Sequence, residues 1–282
     1  MSVGATPSLN FIGDTVGDVE PHSMSEMRGI RFASGNSPTA GPIRLSDFRN
    51  QTITPSFDEA KILASDKQAN DWFGTAVAIS GDGNTLIVGA QYESGTGSAY
   101  IFTRSGTTWT QQKKIQASDK GFEDQFGYSV AISGDGNTAI VGAQYEDTGA
   151  TDAGAAYIFR RSGTNWGEQQ KIQALDRGFD DLFGKSVAIS ENGNTAIVGA
   201  VVEDTGGSDA GAAYMFTRSG TTWSQQAKIQ ASDKQAFDNF GYSVAISYDG
   251  STSIVGAMME DAGVSNTGGA GAAYIYRRAY YI

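Results

Sequence analysis

Phe126-Gly127-Tyr128-Ser129-Val130-Ala131-Ile132-Ser133 runs into Gly134-Asp135-Gly136-Asn137 and then into Thr138-Ala139-Ile140-Val141-Gly142-Ala143. This stretch reads as a tightly packed β-hairpin. Its first arm alternates small and apolar residues, as a strand buried on both faces does. Asp135-Gly136 is a hairpin-turn signal, because Gly reaches positive φ without a steric penalty. The second arm is β-branched and apolar, and it ends in Gly142-Ala143, where two backbones must come close.

The unit recurs. Phe73-Gly74, Phe126-Gly127, Phe183-Gly184 and Phe240-Gly241 each open a copy, spaced by 53, 57 and 57 residues. Gly89-Ala90, Gly142-Ala143, Gly199-Ala200 and Gly256-Ala257 each close one. Self-similarity at this period marks a repeat architecture. The Phe-Gly…Gly-Ala frame resembles the FG-GAP repeats of integrin α-subunits. It is closer still to their bacterial variant, with Val130-Ala131-Ile132-Ser133-Gly134-Asp135 before the turn. The resemblance covers roughly residues 57 to 279 and implies a β-propeller that serves mostly as a binding scaffold.

Each copy holds four strands. In the second they are A (126–133), B (138–144), C (154–161) and D (165–174), with the turn Ser162-Gly163-Thr164-Asn165 between C and D. Four short antiparallel strands per repeat make a propeller blade. Strand A is expected to line the axis. Strand D is the outer edge and carries Trp109, Trp166 or Trp223. The last copy runs to strand C at Ala272-Ala273-Tyr274-Ile275-Tyr276-Arg277-Arg278, while a D-like strand, 57–66, precedes the first. The expected fold is therefore all-β: a four-bladed β-propeller closed by an N-terminal strand, preceded by a mostly irregular N-terminal arm. The blades are about 67–117, 118–174, 175–231 and 232–282, and strand 57–66 completes the last. An open array completed by neighbours is the alternative.

All five prolines, Pro7, Pro21, Pro38, Pro42 and Pro55, precede the repeats. This shift places a boundary at 55/56, between an arm (1–55) and the propeller (56–282). Ser25 and Ser46 could each cap one helical turn. The arm reads as a segment that orders on a partner. Gly41-Pro42-Ile43-Arg44-Leu45-Ser46-Asp47-Phe48-Arg49 is similar to short segments of phage structural proteins, often of tails or their appendages. Ser23-Met24-Ser25-Glu26-Met27-Arg28-Gly29 resembles a companion phrase in phages of marine bacteria. This resemblance implies attachment to other virion proteins through residues 1–55; a leader of no special role is the alternative.

At 282 residues and a net charge of −11, the chain suits a large core and a self-repelling surface. It lacks the basic footprint of nucleic-acid binding. There is no cysteine, hence no disulfide or thiolate metal site. A single histidine, His22, in a segment apart from the repeats, does not make a His-rich metal centre or a Ser-His-Asp set. No apolar run is long enough for membrane insertion, and the first residues lack an export-signal pattern.

Integrin-type repeats often carry a calcium loop between strands A and B. Here that place holds Gly81-Asp82-Gly83-Asn84, Gly134-Asp135-Gly136-Asn137, Glu191-Asn192-Gly193-Asn194 and Tyr248-Asp249-Gly250-Ser251. These are too short for the about 6–8 oxygens that calcium takes, so no cofactor is expected. A second acidic pattern lies in the D-to-A connections, where two Asp stand five apart: Asp66/Asp71, Asp119/Asp124, Asp176/Asp181 and Asp233/Asp238. Either they form a ring of carboxylates that binds a cation, or each accepts backbone N–H bonds and fixes its turn.

The B-to-C loops are longer, acidic and variable, the usual place for binding on a rigid scaffold. Their candidate ligand-binding residues are Tyr92, Tyr145, Glu146, Asp147, Asp152, Glu203, Asp204, Asp209, Glu260 and Asp261. A solvated acidic rim is the alternative. All acidic positions follow the repeat, whereas a catalytic pair would break it, so no enzyme is expected. The resulting expectation is a virion protein of a tail or fibre that displays the propeller to a host surface glycan or protein, as a homo-oligomer in the particle. A capsid decoration protein or a cellular surface adhesin of the same fold are the alternatives.

Overall fold

The structure, a computed structural model, describes residues 58–261 and 269–278. The phage-like phrases of the arm lie outside them. The chain divides into two units, Met1–Lys61 and Ile62–Ile282.

The second unit is built of four antiparallel sheets in chain order. The first comprises β1 (Val77–Ile79), β2 (Thr85–Ala90), β3 (Ser98–Ser105) and β4 (Thr108–Ile115), paired in that order. The second repeats it with β5 (Ser129–Ile132), β6 (Thr138–Ala143), β7 (Ala155–Ser162) and β8 (Asn165–Ile172). The third has β9 (Phe183–Ile189), β10 (Thr195–Ala200), β11 (Ala212–Ser219) and β12 (Thr222–Ile229). The fourth has β13 (Phe240–Ile246), β14 (Thr252–Ala257) and β15 (Ala272–Arg277). In the second blade the expected strands A to D are all present, their ends shifted by at most three residues.

Each A–B hairpin turns as its sequence dictates. In the second blade the Gly136 N–H bonds the Ser133 carbonyl at 2.9 Å, and Gly136 takes φ +65°. The register then sets Val130 opposite Val141 and Ile132 opposite Ala139.

Strand A is the inner strand, as expected. β1 packs on β5, β5 on β9 and β9 on β13. The turns that follow these strands bond to one another. Gly81 N–H reaches the Gly134 carbonyl at 2.9 Å, Asp135 N–H that of Glu191 at 3.1 Å, and Glu191 N–H that of Tyr248 at 3.0 Å.

The core lies between blades rather than within one. Ile87 and Ile101 of the first blade pack with Val130 and Ile132 of the second. Ile140 and Ile158 of the second pack with Val187 and Ile189 of the third. The Phe-Gly motif is the clasp at each junction. Phe126 is buried edge-on against Tyr157 and Phe159, and its backbone bridges to Gly97 of the preceding blade. At the periphery, the Trp166 indole N–H donates to Gln112 of β4 at 2.9 Å.

The four-bladed, all-β reading holds, with one correction. Among the described residues the expected closing strand is not formed: residues 58–64 belong to no strand, and the fourth sheet shows three strands. Residues 62–65 pack on the first blade just as 115–118 pack on the second, but they make no ladder with β15, the strand they would have to pair with. Ala64 and Ile62 sit against Val88 and Tyr100, and Ser65 N–H bonds the Gln111 side chain at 2.9 Å.

Candidate functional site

Two sets of loops meet along one rim: the D-to-A connections and the B-to-C loops. A lysine from strand D ties them together. Lys171 Nζ lies 2.8 Å from Asp119 and 2.6 Å from Glu146. It also stands over the Tyr157 ring, whose hydroxyl donates to Asp119 at 2.8 Å. Lys114 holds Asp66 at 2.7 Å and Glu93 at 2.8 Å in the first blade. Lys228 holds Asp176 at 2.8 Å and Glu203 at 2.7 Å in the third.

This bracket sets the charge states. The Lys114 hydrogen bond holds the Asp66 carboxyl below its ordinary range. For Asp119 and Asp176, burial pushes upward, but the hydrogen bonds from Lys171 and Tyr157 to the first and from Lys228 to the second outweigh it, and the net shift is down. In the fourth blade, Asp233 accepts from the Tyr274 hydroxyl at 2.9 Å.

The second Asp of each connection is buried and closes its own turn. Asp71 accepts the Gln68 N–H and Asp238 the Gln235 N–H, both at 2.6 Å. Asp124 and Asp181 do the same with Gly121 and Gly178. Burial raises the Asp124 and Asp181 carboxyls above the usual range against the pull of those N–H groups. The oxygens of these pairs are thus engaged within their own blades, the turn-fixing arrangement. Among the described residues, no three carboxylate or imidazole side chains come together at metal-holding distance.

The acidic residues of the B-to-C loops separate into two groups. Glu146 and Glu203 point inward, are buried, and are saturated by lysine, glutamine and backbone donors. They are not at the surface of the rim. Glu260 is likewise buried, and Asp261 is exposed and accepts from Gln235 at 3.3 Å. Asp147 and Asp204 brace their loops by accepting the N–H of Asp152 and Asp209, each at 2.9 Å.

Tyr92, Tyr145, Asp147 and Asp152 do come together. With Phe122 and Gln125 they line a cleft of about 500 Å³ between the first and second blades. Gln125 donates to the Tyr92 hydroxyl at 3.1 Å and accepts from Gln144 at 2.8 Å, which fixes the wall of the cleft. Burial and the neighbouring charges of Asp147 and Asp180 raise the Asp152 carboxyl.

The Phe122 ring is 76 % exposed and lies against Gly95, where even a Cβ would meet it at 2.8 Å. Phe179 and Phe237 are exposed in the corresponding loops. Sequence reasoning missed these three. Their signal was there: one aromatic residue in a polar connection, between the two Asp of the pair. The cleft offers aromatic faces beside hydrogen-bond acceptors, a combination suited to amphipathic ligands.

The family described as FG-GAP repeat matches residues 57–102, 109–159, 166–216 and 223–276. No curated protein matches the chain. Among solved structures, hydrazine synthase of Kuenenia stuttgartiensis is similar at 19 % identity and a TM-score of 0.45, over 72 % of this chain and 51 % of that one. A putative TolB from Agrobacterium tumefaciens is similar at 15 % identity and a TM-score of 0.41, over 66 % and 54 %. The Sqt1 protein of Saccharomyces cerevisiae is similar at 10 % identity and a TM-score of 0.43, over 68 % and 44 %. The chain thus spans about half the length of the structures it matches.

Proposed function

Because the chain belongs to the FG-GAP repeat family, we propose that it is a binding propeller displayed on a phage virion, on the tail or a fibre, where it holds a host-surface glycan or protein. The observation that carries the binding role is the cleft between the first two blades, with exposed Phe122 beside Tyr92, Tyr145, Asp147 and Asp152. Aromatic faces take the apolar side of a sugar ring, and carboxyl oxygens accept its hydroxyls. The rigid blades behind the loops pre-organise that surface and lower the cost of binding. The phage-like phrases of residues 23–29 and 41–49 support attachment of the arm to other virion proteins.

Binding on this reading needs no cation and leaves the ligand intact. A chelator should not weaken it, and a bound polysaccharide should release no oligosaccharides.

The test has two readouts. An antibody against residues 56–282 should label tails or fibre ends in electron micrographs, and the purified chain should compete with the phage for its host. Phe122→Ala should weaken that competition about tenfold, the loss of one aromatic contact. Label over the head would make the protein a capsid decoration. Label on no particle would refute the virion reading and leave the cellular adhesin.

A further inference from the structure

The junctions inside the chain define what its two end faces lack. Where one blade meets the next, strand A of the later blade covers strands B and C of the earlier. Val130 and Ile132 are buried in this way, as are Ile140 and Ile158. Their counterparts at the ends are bare. On the first blade, Val77 is 69 % exposed and Ile79 is exposed beside it. On the fourth, Ile275 is 68 % exposed and Ile254, the counterpart of buried Ile140, is exposed too. In a four-bladed ring closed on itself these side chains would be covered.

The backbone repeats the message. A Cβ on Gly89, Gly142 or Gly199 would lie 2.0 Å from the carbonyl oxygen of Gly127, Gly184 or Gly241 of the next blade. Gly256, the fourth of the series, meets only its own Ser243, and Gly74, the first Phe-Gly glycine, has nothing within 4 Å. Each glycine is half of a close approach whose other half is absent.

A third observation concerns charge. Glu93, Glu146 and Glu203 each hold the lysine of an outer strand. Glu260 is 1 % exposed, and its Oε2 has no hydrogen-bond partner. Among the described residues the fourth sheet has no outer strand to bring it one. The counterpart lysine stands before the first blade: Lys61-Ile62-Leu63-Ala64-Ser65-Asp66 matches Lys114-Ile115-Gln116-Ala117-Ser118-Asp119.

We propose that the two end faces are halves of one more blade junction, and that a second copy of this chain completes it head to tail at both ends. A contact of this heterologous kind closes into a ring when the rotation allows it. Propellers hold about 4–8 blades, so two rows of four close a ring within that range, and three do not. In it Gly256 meets Gly74 of the second copy. Trp72, exposed on the first blade, meets exposed Met258 and Met259 of the fourth, an aromatic–sulfur contact. Residues 58–62 of the second copy pair with β15. The register follows from the inner blades, where Ala99 faces Ile115 and Ala156 faces Ile172. Ala273 therefore faces Ile62 of the second copy, and Lys61 of the second copy reaches Glu260 and Asp233.

Light scattering on the full chain tests this. Twice the mass of one chain is expected. The mass of one chain at high micromolar concentration overturns the proposal, as do open filaments or larger rings. Val77→Asp and Ile275→Asp replace exposed side chains, so each variant should keep the strand circular dichroism of the parent and fall to single-chain mass. Retention of the double mass by both would also overturn it.

A second measurement separates two copies from self-closure. The chain has no cysteine of its own. Ile62→Cys and Ala273→Cys, carried on separate co-expressed chains, should form a disulfide-linked pair of double mass on a non-reducing gel. A disulfide that forms only when both cysteines share one chain would place the strand in its own propeller instead. The outcome is independent of what the rim cleft binds.

Discussion

Asp82 and Asp249 show how much one side chain settles locally. Asp82 Oδ1 accepts the Ser80 hydroxyl at 2.6 Å and the Asn84 N–H at 2.9 Å. These bonds favour the charged form and lower its pKa from 3.8 to about 2, and Asp249 behaves alike with Ser247 and Ser251. A depressed carboxyl stabilises the fold above its unfolded pKa, and that contribution is lost as pH falls through the folded value. The turns at 80–85 and 247–252 should therefore loosen as pH falls from 3.8 toward about 2. The third blade is a built-in control, because Asn192 makes the same bonds without a charge. In an NMR titration the Asn84 and Ser251 amides should shift with pH, and that of Asn194 should stay flat. The glycines divide as sharply. Gly142→Ala drives a Cβ into the Gly184 carbonyl and should cost about 3 kcal/mol or more in a melt. Gly167→Ala enters open space and should stabilise by about 0.4–1 kcal/mol.

At the scale of the element, the outer strand does more than fill a sheet edge. Through one lysine it fastens the connection before its blade to the B-to-C loop within it. Lys171 is partly solvated, whereas the Glu146 side chain is 5 % exposed. Removing the lysine leaves a buried carboxylate without its cation, and that penalty exceeds the worth of the pair itself. Lys171→Met should cost about 3 kcal/mol in denaturant unfolding. Adding Glu146→Gln should recover part of the loss, because the neutral amide keeps the Gln173 contact at lower desolvation cost. The same logic explains why Glu146 and Glu203 read as rim acids in the sequence. They sit in acidic, Gly-rich loops beside Asp147 and Asp204, and nothing in that stretch shows that a lysine some 25 residues later turns them inward.

For the whole molecule, the net charge of −11 opposes any assembly of like copies. Raising ionic strength screens that long-range repulsion and leaves buried pairs and apolar faces largely intact. The double-mass species should thus gain in share when salt is raised across the physiological range, as sedimentation velocity would record; dissociation by salt would point to exposed ion pairs as the main bond. Much of this molecule was legible in its sequence. The four blades, their strand order, the inner position of strand A and the outer tryptophans follow from alternation, turn residues and repeat spacing, which are local properties of the chain. Half of the rim cleft was legible too, since Tyr92, Tyr145, Asp147 and Asp152 stood out as loop residues, while Phe122 did not. What only the tertiary structure decided is what each residue faces. Val77 and Val130 sit in nearly the same phrase, Val-Ala-Ile-Ser-Gly-Asp-Gly-Asn, yet the first is exposed and the second buried. Burial is set by the neighbouring blade, and the presence of a neighbour is a long-range fact that no local pattern encodes.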